Sequence, residues 1–290
     1  MTLEQLRIFV AVAERQHVTA AAQALNITQS AASAAIAALE ARHDVRLFHR
    51  VGRGIVLSEA GALFLDEARG VLARAAAAER VLEELGDLKR GELRLVASQT
   101  IAAYWLPPLL AAFRDRHPAI EVDLMIGNSG YAAKQVREGA VDLGFVEGGV
   151  DDPALAYWPV GEDRLVLVQG AAHDGRAIDP EWLRSARWVM RESGSGTRST
   201  LDTALRRLDV DPEVLDVALV LPSNESVRTA AEAGAGIAAL SALVVAPSVG
   251  AGRLHRLPCD LGQRAFFGLR HKERYRSKAA DALLSLIAER

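Results

Sequence analysis

The sequence predicts a multidomain protein: a small all-α N-terminal domain with a hairpin wing, a long linker helix, and an α/β domain of two lobes. Three observations carry that reading. Residues 18–57 read as two short helices across a tight turn, then a basic hairpin. Residues 58–88 contain no proline and keep an apolar heptad seam. From residue 91 onward, short strands alternate with helical patterns. A length of 290 residues suits two or three domains. The expected boundaries are 1–58, 59–88 and 91–290, the last divided into lobe I (91–161 with 267–290) and lobe II (162–266).

Composition narrows the class. Half of the residues are hydrophobic and 24% are charged, an ordinary globular balance. The net charge of −3 gives no global sign of nucleic-acid binding, but its distribution does. Residues 1–58 carry six Arg (7, 15, 42, 46, 50 and 53) against Glu4, Glu14, Glu40 and Asp44, which is +2 and leaves −5 for the remainder. That bias favours a DNA-facing module at the N-terminal end. The single cysteine, Cys259, excludes an internal disulfide framework and a Cys-based zinc cluster. No secretory leader and no apolar run of spanning length is read, so the expected location is cytoplasmic, with no membrane partner.

Thr2-Leu3-Glu4-Gln5 has capping-box spacing, and Leu3, Leu6, Val10 and Ala13 continue it as an amphipathic helix. His17, near its end, reads as a surface or cap residue. A second helix starts near Thr19, is mostly alanine, and stops at Leu25-Asn26, where Asn suits the left-handed position. Thr28 caps a third helix. Its inner face holds Ala32, Ile36 and Leu39; its outer face holds Gln29, Ser30, Ser33, Ala34 and Ala37. An outer face of that kind suits base edges: Gln bonds adenine in bidentate fashion, Ser donates or accepts, and an alanine methyl meets a thymine methyl. An ordinary solvated helix face would look the same by itself. The hairpin tip Val51-Gly52-Arg53-Gly54 uses glycine for positive φ. Arg50 and Arg53 flank it, suited to phosphates or a narrow minor groove, or else simply solvated.

Ser58 should cap the next helix. There Phe64, Ala68, Val71, Ala75, Ala78, Leu82 and Leu85 recur in alternating steps of four and three. Such a seam either packs on its own domain or pairs with a second chain, and its polar flanks favour pairing. Residues 86–91, bounded by glycines, read as a hinge. Strands are then expected at 92–97, 120–126, 142–147, 164–168, 188–191, 215–220, 236–240 and 265–269. Helices are expected at 102–116, 131–138, 197–208, 225–233 and 277–288. The first βαβαβ set implies a parallel sheet with right-handed crossovers.

The run Ala21-Ala22, Leu25, Ile27-Thr28-Gln29-Ser30-Ala31, Ser33, Ile36, Leu39-Glu40, Leu47-Phe48, Arg50, Gly54 and Leu57-Ser58-Glu59-Ala60-Gly61 resembles the winged helix-turn-helix of LysR-type transcriptional regulators. The likeness is dense over about sixty residues and looser beyond. That family often has Arg, Gln or Lys just after the serine of the third helix, where this chain has Ala34 and Ala35. Readout therefore shifts toward Gln29, Ser30, Ser33 and DNA shape, with Thr28, Ala34, Arg50 and Arg53 completing the expected DNA-contacting set. The resemblance implies an antiparallel linker-helix dimer through Phe64, Val71, Ala75, Ala78, Leu82 and Leu85, and a dimer of dimers beyond it. It also implies a type-2 periplasmic-binding-protein-like effector domain.

Ligands of open parallel sheets bind beyond the carboxyl ends of the strands, where helix N-termini offer free N–H groups. Small polar residues follow several expected strands, and the resemblance places the effector near those at 98–100, 127–129 and 192–197; the candidates are Ser98, Thr100, Asn128, Ser129, Ser195 and Thr197, followed by Gln99 and Asn224. Hydroxyls, amides and N–H groups suit an anion or small carboxylate, with Arg191 or Arg198 to neutralise it. Each residue alone is also an ordinary cap or turn residue. Gly194-Ser195-Gly196-Thr197-Arg198-Ser199 lacks the spacing and the Lys of a phosphate loop. Gly234-Ala235-Gly236-Ile237-Ala238-Ala239 matches a dinucleotide fingerprint in letters, but there a helix precedes and a strand follows. No metal cluster, G-x-S-x-G elbow or acid/base constellation is read, so neither cofactor nor enzymatic activity is expected. The function expected is a DNA-binding transcriptional regulator whose cleft closes on a small metabolite and resets the spacing of the DNA-binding heads. The alternative is a small-molecule receptor without DNA function. The partners implied are a double-stranded DNA operator, a small-molecule effector and a homodimer or homotetramer, with RNA polymerase a further one.

Overall fold

The capping box at Thr2 closes on itself. Gln5 N–H donates to Thr2 Oγ1 at 3.2 Å and Thr2 N–H to Gln5 Oε1 at 3.0 Å, starting α1 (Leu3–Arg15). The computed structural model describes residues 1–52, 54–84 and 91–289. It divides into two units, Met1–Leu85 and Gly86–Arg290. In the first unit, α2 (Val18–Ala24) begins at His17, whose Nδ1 accepts from Ala20 N–H at 3.2 Å. Asn26 takes the left-handed conformation at φ 54°, and Thr28 Oγ1 caps α3 (Gln29–His43) by accepting from Ala31 N–H. Strands β1 (Phe48–Val51) and β2 (Gly54–Leu57) form the hairpin, with Gly52 at φ 59° in its turn. The helix α4 (Glu59–Glu84) follows.

Two apolar clusters hold this unit. Ile8, Val12, Ala21, Ala22, Ala32 and Ile36 lock the three short helices together. Leu6, Phe9, Leu39, Leu47 and Ala68 tie the start of α4 to α1. Full burial of each larger aliphatic or Phe side chain contributes about 1.5–3 kcal/mol. The hairpin is set by polar bonds as well. Glu40 Oε1 accepts from Leu47 N–H at 2.7 Å, and Ser58 Oγ donates to Arg46 O while capping Gly61 N–H at 2.9 Å. A Cβ on Gly61 would meet Leu47 O at 2.1 Å, so only glycine fits there.

In the second unit a six-stranded sheet runs β4-β3-β5-β10-β6-β9, and β7 pairs with β8. Strand β3 (Gly91–Ser98) lies parallel to β4 (Ile120–Gly127) and β5 (Leu143–Glu147). Helices α5 (Leu106–Arg116), opened by a π turn at Ile101–Trp105, α6 (Ser129–Glu138) and C-terminal α11 (Lys278–Ala288) cover these strands. Strands β7 (Arg187–Arg191) and β8 (Asp216–Leu221) are parallel, and Trp188 bridges to Ile237 beside β9 (Ala238–Ser241). Here α8 (Gly196–Arg207), α9 (Asn224–Glu232), α10 (Ala242–Gly250) and the one-turn α7 (Pro180–Ser185) pack. Alternation along the strands feeds both faces: Leu165 and Leu167 join Trp188 and Met190 in one core, while Val166 and Val168 join Val189 in another.

Several expectations are corrected. The short strands expected at 164–168 and 265–269 belong to two long ones, β6 (Leu155–Gln169) and β10 (His255–His271). These pair antiparallel from Leu155↔His271 to Gln169↔His255, with bulges between Arg256 and Gln263 and between Phe266 and Phe267. The lobe boundaries expected at 161–162 and 266–267 fall within these two strands, at the bulge between Phe266 and Phe267. Helix α7 and helix α10, which carries Pro247 inside it, were not anticipated. Of the hinge expected at 86–91, residues 86–90 lie outside the described residues, as do Arg53 and Leu85, and Gly91 opens β3. Among the described residues no helix is long and apolar enough to cross a membrane.

Candidate functional site

The outer face of α3 is small and polar, as its sequence requires. Gln29, Ser30 and Ala34 are exposed and Ser33 is half-buried. Gln29 Nε2 donates to Ser33 Oγ at 3.1 Å, and Thr28 and Ser30 share a hydroxyl contact at 3.0 Å. Between α3 and the hairpin lies a notch of about 310 Å³, lined by His17, Thr19, Gln29, Ser33, Arg50 and Gly52 among others. Sequence reasoning missed Thr19 as part of this notch, although its place at the start of α2 was the available signal. Arg50 is exposed on the wing side; Arg53, expected beside it, lies outside the described residues.

The seam of α4 is divided. Phe64 packs against Phe9 with ring centroids 4.9 Å apart, and Ala68 is fully buried in the same unit. Phe64 therefore belongs in part to its own domain, and the expectation that it serves a partner is narrowed accordingly. Val71, 43% exposed, and Leu82, 71% exposed, leave an apolar face open, with Ala75 half-buried and Ala78 exposed between them. Leu85 lies outside the described residues.

The second unit brings the expected effector residues together. Gln99 Nε2 donates to Pro222 O at 2.9 Å, and Gln99 Oε1 accepts from Asn224 N–H at 2.9 Å. Asn224 Nδ2 donates to Thr100 Oγ1 at 3.0 Å. Asn128 caps α6 and donates to Glu192 Oε1 at 3.1 Å, while Gly130 N–H donates to Gly194 O at 3.1 Å. Ser129 donates to Glu147 O at 3.0 Å. A Cβ on Gly196 would meet Glu147 O at 2.2 Å, so the end of β5 and the start of α8 require glycine. Ser195 and Thr197 are buried at that start, and the Ser195 hydroxyl makes no capping bond. Ser98, 2% exposed at the end of β3, has a hydroxyl without a hydrogen-bond partner among the described residues.

A buried charge network underlies this meeting, and sequence reasoning did not find its centre. Arg264 on β10 sits directly opposite Asp163 on β6 and bonds it through Nε at 2.8 Å and Nη2 at 2.7 Å. It also donates to Thr197 Oγ1 at 3.0 Å and lies 3.6 Å from Glu147. Arg191 forks onto Glu192 at 2.8 and 2.9 Å and reaches Asn224. Arg198 pairs with Asp202 at 2.9 Å. The two cations expected to neutralise an anion, Arg191 and Arg198, are thus already matched by internal carboxylates. Burial raises the Glu192 carboxyl, but hydrogen bonds from Arg191 and Asn128 outweigh it and hold that group below the usual carboxylate range. Burial, with Asp260 nearby, pushes the half-buried Cys259 thiol up, away from thiolate chemistry. Among the described residues no group of His, Cys, Asp and Glu is arranged to hold a metal.

A cavity of about 370 Å³ opens beside the network, lined by Ser129, Gly130, Glu147, Ser195, Gly196 and Arg198 among others. That is the size range of small-metabolite sites. Its free neutral donors are the Ser195 hydroxyl and the first N–H groups of α8, the groups a helix N-terminus offers to an anion; Ser129 and Ser199 donate to Glu147 O and Gly196 O, and Glu147, Asp151 and Asp202 also line it.

Comparison with known proteins agrees with both units. Residues 3–62 match the model of the bacterial regulatory helix-turn-helix protein, lysR family, and residues 86–290 match the LysR substrate binding domain. The HTH-type transcriptional regulator YeiE of Escherichia coli (strain K12) is 34% identical over 289 residues, covering 98% of this chain and 96% of the relative. The full-length CbnR structure, complexed with target DNA, superposes with a TM-score of 0.68 at 23% identity, covering 100% of this chain and 99% of that one. The CcmR regulatory domain of Synechocystis PCC6803, in complex with 2-PG, is 28% identical with a TM-score of 0.62, covering 69% of this chain and 97% of that one. The match over residues 3–62 leaves no support for a receptor without DNA function.

Proposed function

The chain belongs to the LysR family of bacterial transcriptional regulators, and from that premise we propose that it reads its operator with Gln29, Ser30 and Ser33 and answers to a small organic anion held by the hydroxyls of Ser98, at the end of β3, and Ser195, at the start of α8, beside Ser129. Family membership supplies the general function: a DNA-binding regulator with an effector-binding domain, working as an oligomer. The proposal concerns which residues carry each task. On DNA, the notch between α3 and the hairpin receives the backbone, and Arg50 neutralises phosphate there. The free part of the α4 seam, Val71 to Leu82, pairs two chains, so the operator is dyad-symmetric.

The single observation that carries the effector reading is the Ser98 hydroxyl. A buried polar group without a partner costs about 1–3 kcal/mol, and such groups are few in native proteins. Ser98 stands next to Gln99 and Thr100, which are fully engaged across the meeting of the lobes. A ligand oxygen there satisfies it. Because Arg191, Arg198 and Arg264 are already paired, the anion is held by the Ser98 and Ser195 hydroxyls and α8 N–H groups rather than by a free guanidinium. The 2-PG complex of the CcmR regulatory domain supports a small anion of this size.

Thermal-shift measurements with 2-PG and other small organic anions test this on the wild type and Ser98→Ala. Because Ser98 Oγ has no partner to lose, Ser98→Ala without ligand should melt no lower than the wild type. With ligand its shift should shrink, as removal of one hydrogen bond to a charged group weakens binding roughly tenfold or more. An equal ligand shift in both proteins would remove Ser98 from the site.

A further inference from the structure

A second cavity, of about 420 Å³, lies on the other side of Ser199 along α8. The cavity beside Ser195 follows the stripe 195, 198, 199 and 202 of that helix; the second follows 199, 200, 203, 204 and 207, with Gly148 and Gly149 at one wall and Leu261 to Phe267 of β10 at another. None of the expected effector residues lines it. Its origin is a fault in strand pairing. The β10–β6 register slips between Arg256 and Asp260 and again between Asp260 and Gln263, and Gly262 sits at φ +88°. A bulged strand does not lie flush against its neighbours, so a hollow is left under α8.

The chemistry of the lining is specific. Arg207 donates through Nη2 to Leu261 O at 3.1 Å and has no carboxylate within ion-pair distance among the described residues. Arg191, Arg198 and Arg264, all nearby in the fold, are each matched by an acid. A Cβ on Gly262 would lie 2.9 Å from Arg207 Nη2, so the missing side chain makes room for the guanidinium. Three hydroxyls accompany it. Thr200 and Ser199 donate to Gly196 O at 2.7 and 3.1 Å, and Thr203 donates to Ser199 O at 2.9 Å. Their protons are committed to the backbone, so toward a ligand they act as acceptors. Gln263 offers an amide that can donate or accept. One cation with spare N–H donors beside three acceptor hydroxyls complements a small molecule that carries an anionic group at one end and hydroxyl donors at the other.

We propose that the hollow between α8 and β10 is a second ligand site, taking a small hydroxylated anion whose charged group bonds Arg207 and whose hydroxyls donate to Thr200 and Thr203. Gly149 and Ser199 line both the hollow and the cavity beside Ser195, and Arg264, which lines the hollow, also bonds Thr197 and Asp163. A ligand in the hollow touches Gly148 and Gly149 after β5 as well as α8, and so bears on the same meeting of elements that the cleft controls.

Isothermal titration of the full chain tests this with sn-glycerol 3-phosphate as the probe, alongside inorganic phosphate and glycerol. Wild type should bind sn-glycerol 3-phosphate more tightly than either fragment. Arg207→Gln should weaken it roughly ten- to hundredfold, the loss of a charge-assisted bond. Thr200→Val should weaken it by a smaller factor, and Ser98→Ala should leave it unchanged. Arg207 and Thr203 are exposed and Thr200 half-buried, so the variants keep the fold. No binding by the wild type, or equal binding by wild type and Arg207→Gln, overturns the proposal. So does a loss confined to Ser98→Ala, which would put the probe in the cleft.

Discussion

Replacing Arg264 with Met should destabilise the α/β unit more than any surface change in it. The side chain is 3% exposed, and its removal leaves Asp163 at 2% and Glu147 at 3% side-chain exposure without the guanidinium that faces them. Two bonds to Asp163 and one to Thr197 go with it. Breaking a buried ion pair by deleting one partner costs about 3–5 kcal/mol, since the remaining charge stays desolvated. In a unit of this size that corresponds to a fall of about 6–20 °C in the melting midpoint. All four tryptophans (105, 158, 182 and 188) lie in this unit, so their fluorescence in urea or on heating reports it alone. Arg264→Met with Asp163→Leu should recover part of the loss, because an apolar pair of similar volume removes the charge and its nearest counter-charge and leaves Glu147 alone without the guanidinium. A midpoint within about 2 °C of the wild type for Arg264→Met, or a double variant as unstable as the sum of the singles, would refute a buried, coupled pair.

Gln29→Ala should weaken specific operator binding by about 1–3 kcal/mol and relax preference at one base pair, checked by footprinting on a site selected from random DNA. Arg50→Ala should weaken binding on all sequences and make the log–log salt slope shallower by about 0.9; an unchanged slope would place Arg50 off the phosphates. Val71→Glu puts a charge into the open seam of α4 and should shift the sedimentation profile toward monomer, whereas an unaltered profile would assign that face elsewhere. Glu192 has a folded pKa below its ordinary 4.5, so its contribution is present above that value and lost as pH falls through the folded one. Stability of the α/β unit should therefore drop on acidification below about 4.5, and Glu192→Gln should flatten that slope.

Local chemistry made the N-terminal unit legible residue by residue. The Thr2–Gln5 box, the left-handed Asn26, the Thr28 cap and the inner stripe Ala32, Ile36 and Leu39 are all short-range signals, and each forms as written. The α/β unit was legible in its order of elements but less so in their lengths. Pro159, Gly161 and the run Glu162-Asp163-Arg164 interrupt the apolar alternation of β6, and only its pairing with β10 shows why they are tolerated there. Asp163 and Arg264 satisfy each other across the strands, a long-range fact that no local window contains. For the same reason the expected effector residues could be named from strand ends, while the charges that engage Arg191, Arg198 and Arg264 could not. Helix α10 was hidden by Pro247, which usually ends a helix.

Footprinting on a selected operator, with and without the small anion that raises the melting midpoint, joins the two halves of the account in one measurement. Wild type should change its footprint when the anion is added, and Ser98→Ala should bind the same DNA with the ligand-free footprint at that concentration. A footprint indifferent to the anion in the wild type, or a full response in Ser98→Ala, would contradict an effector held at Ser98 that governs how this regulator sits on DNA.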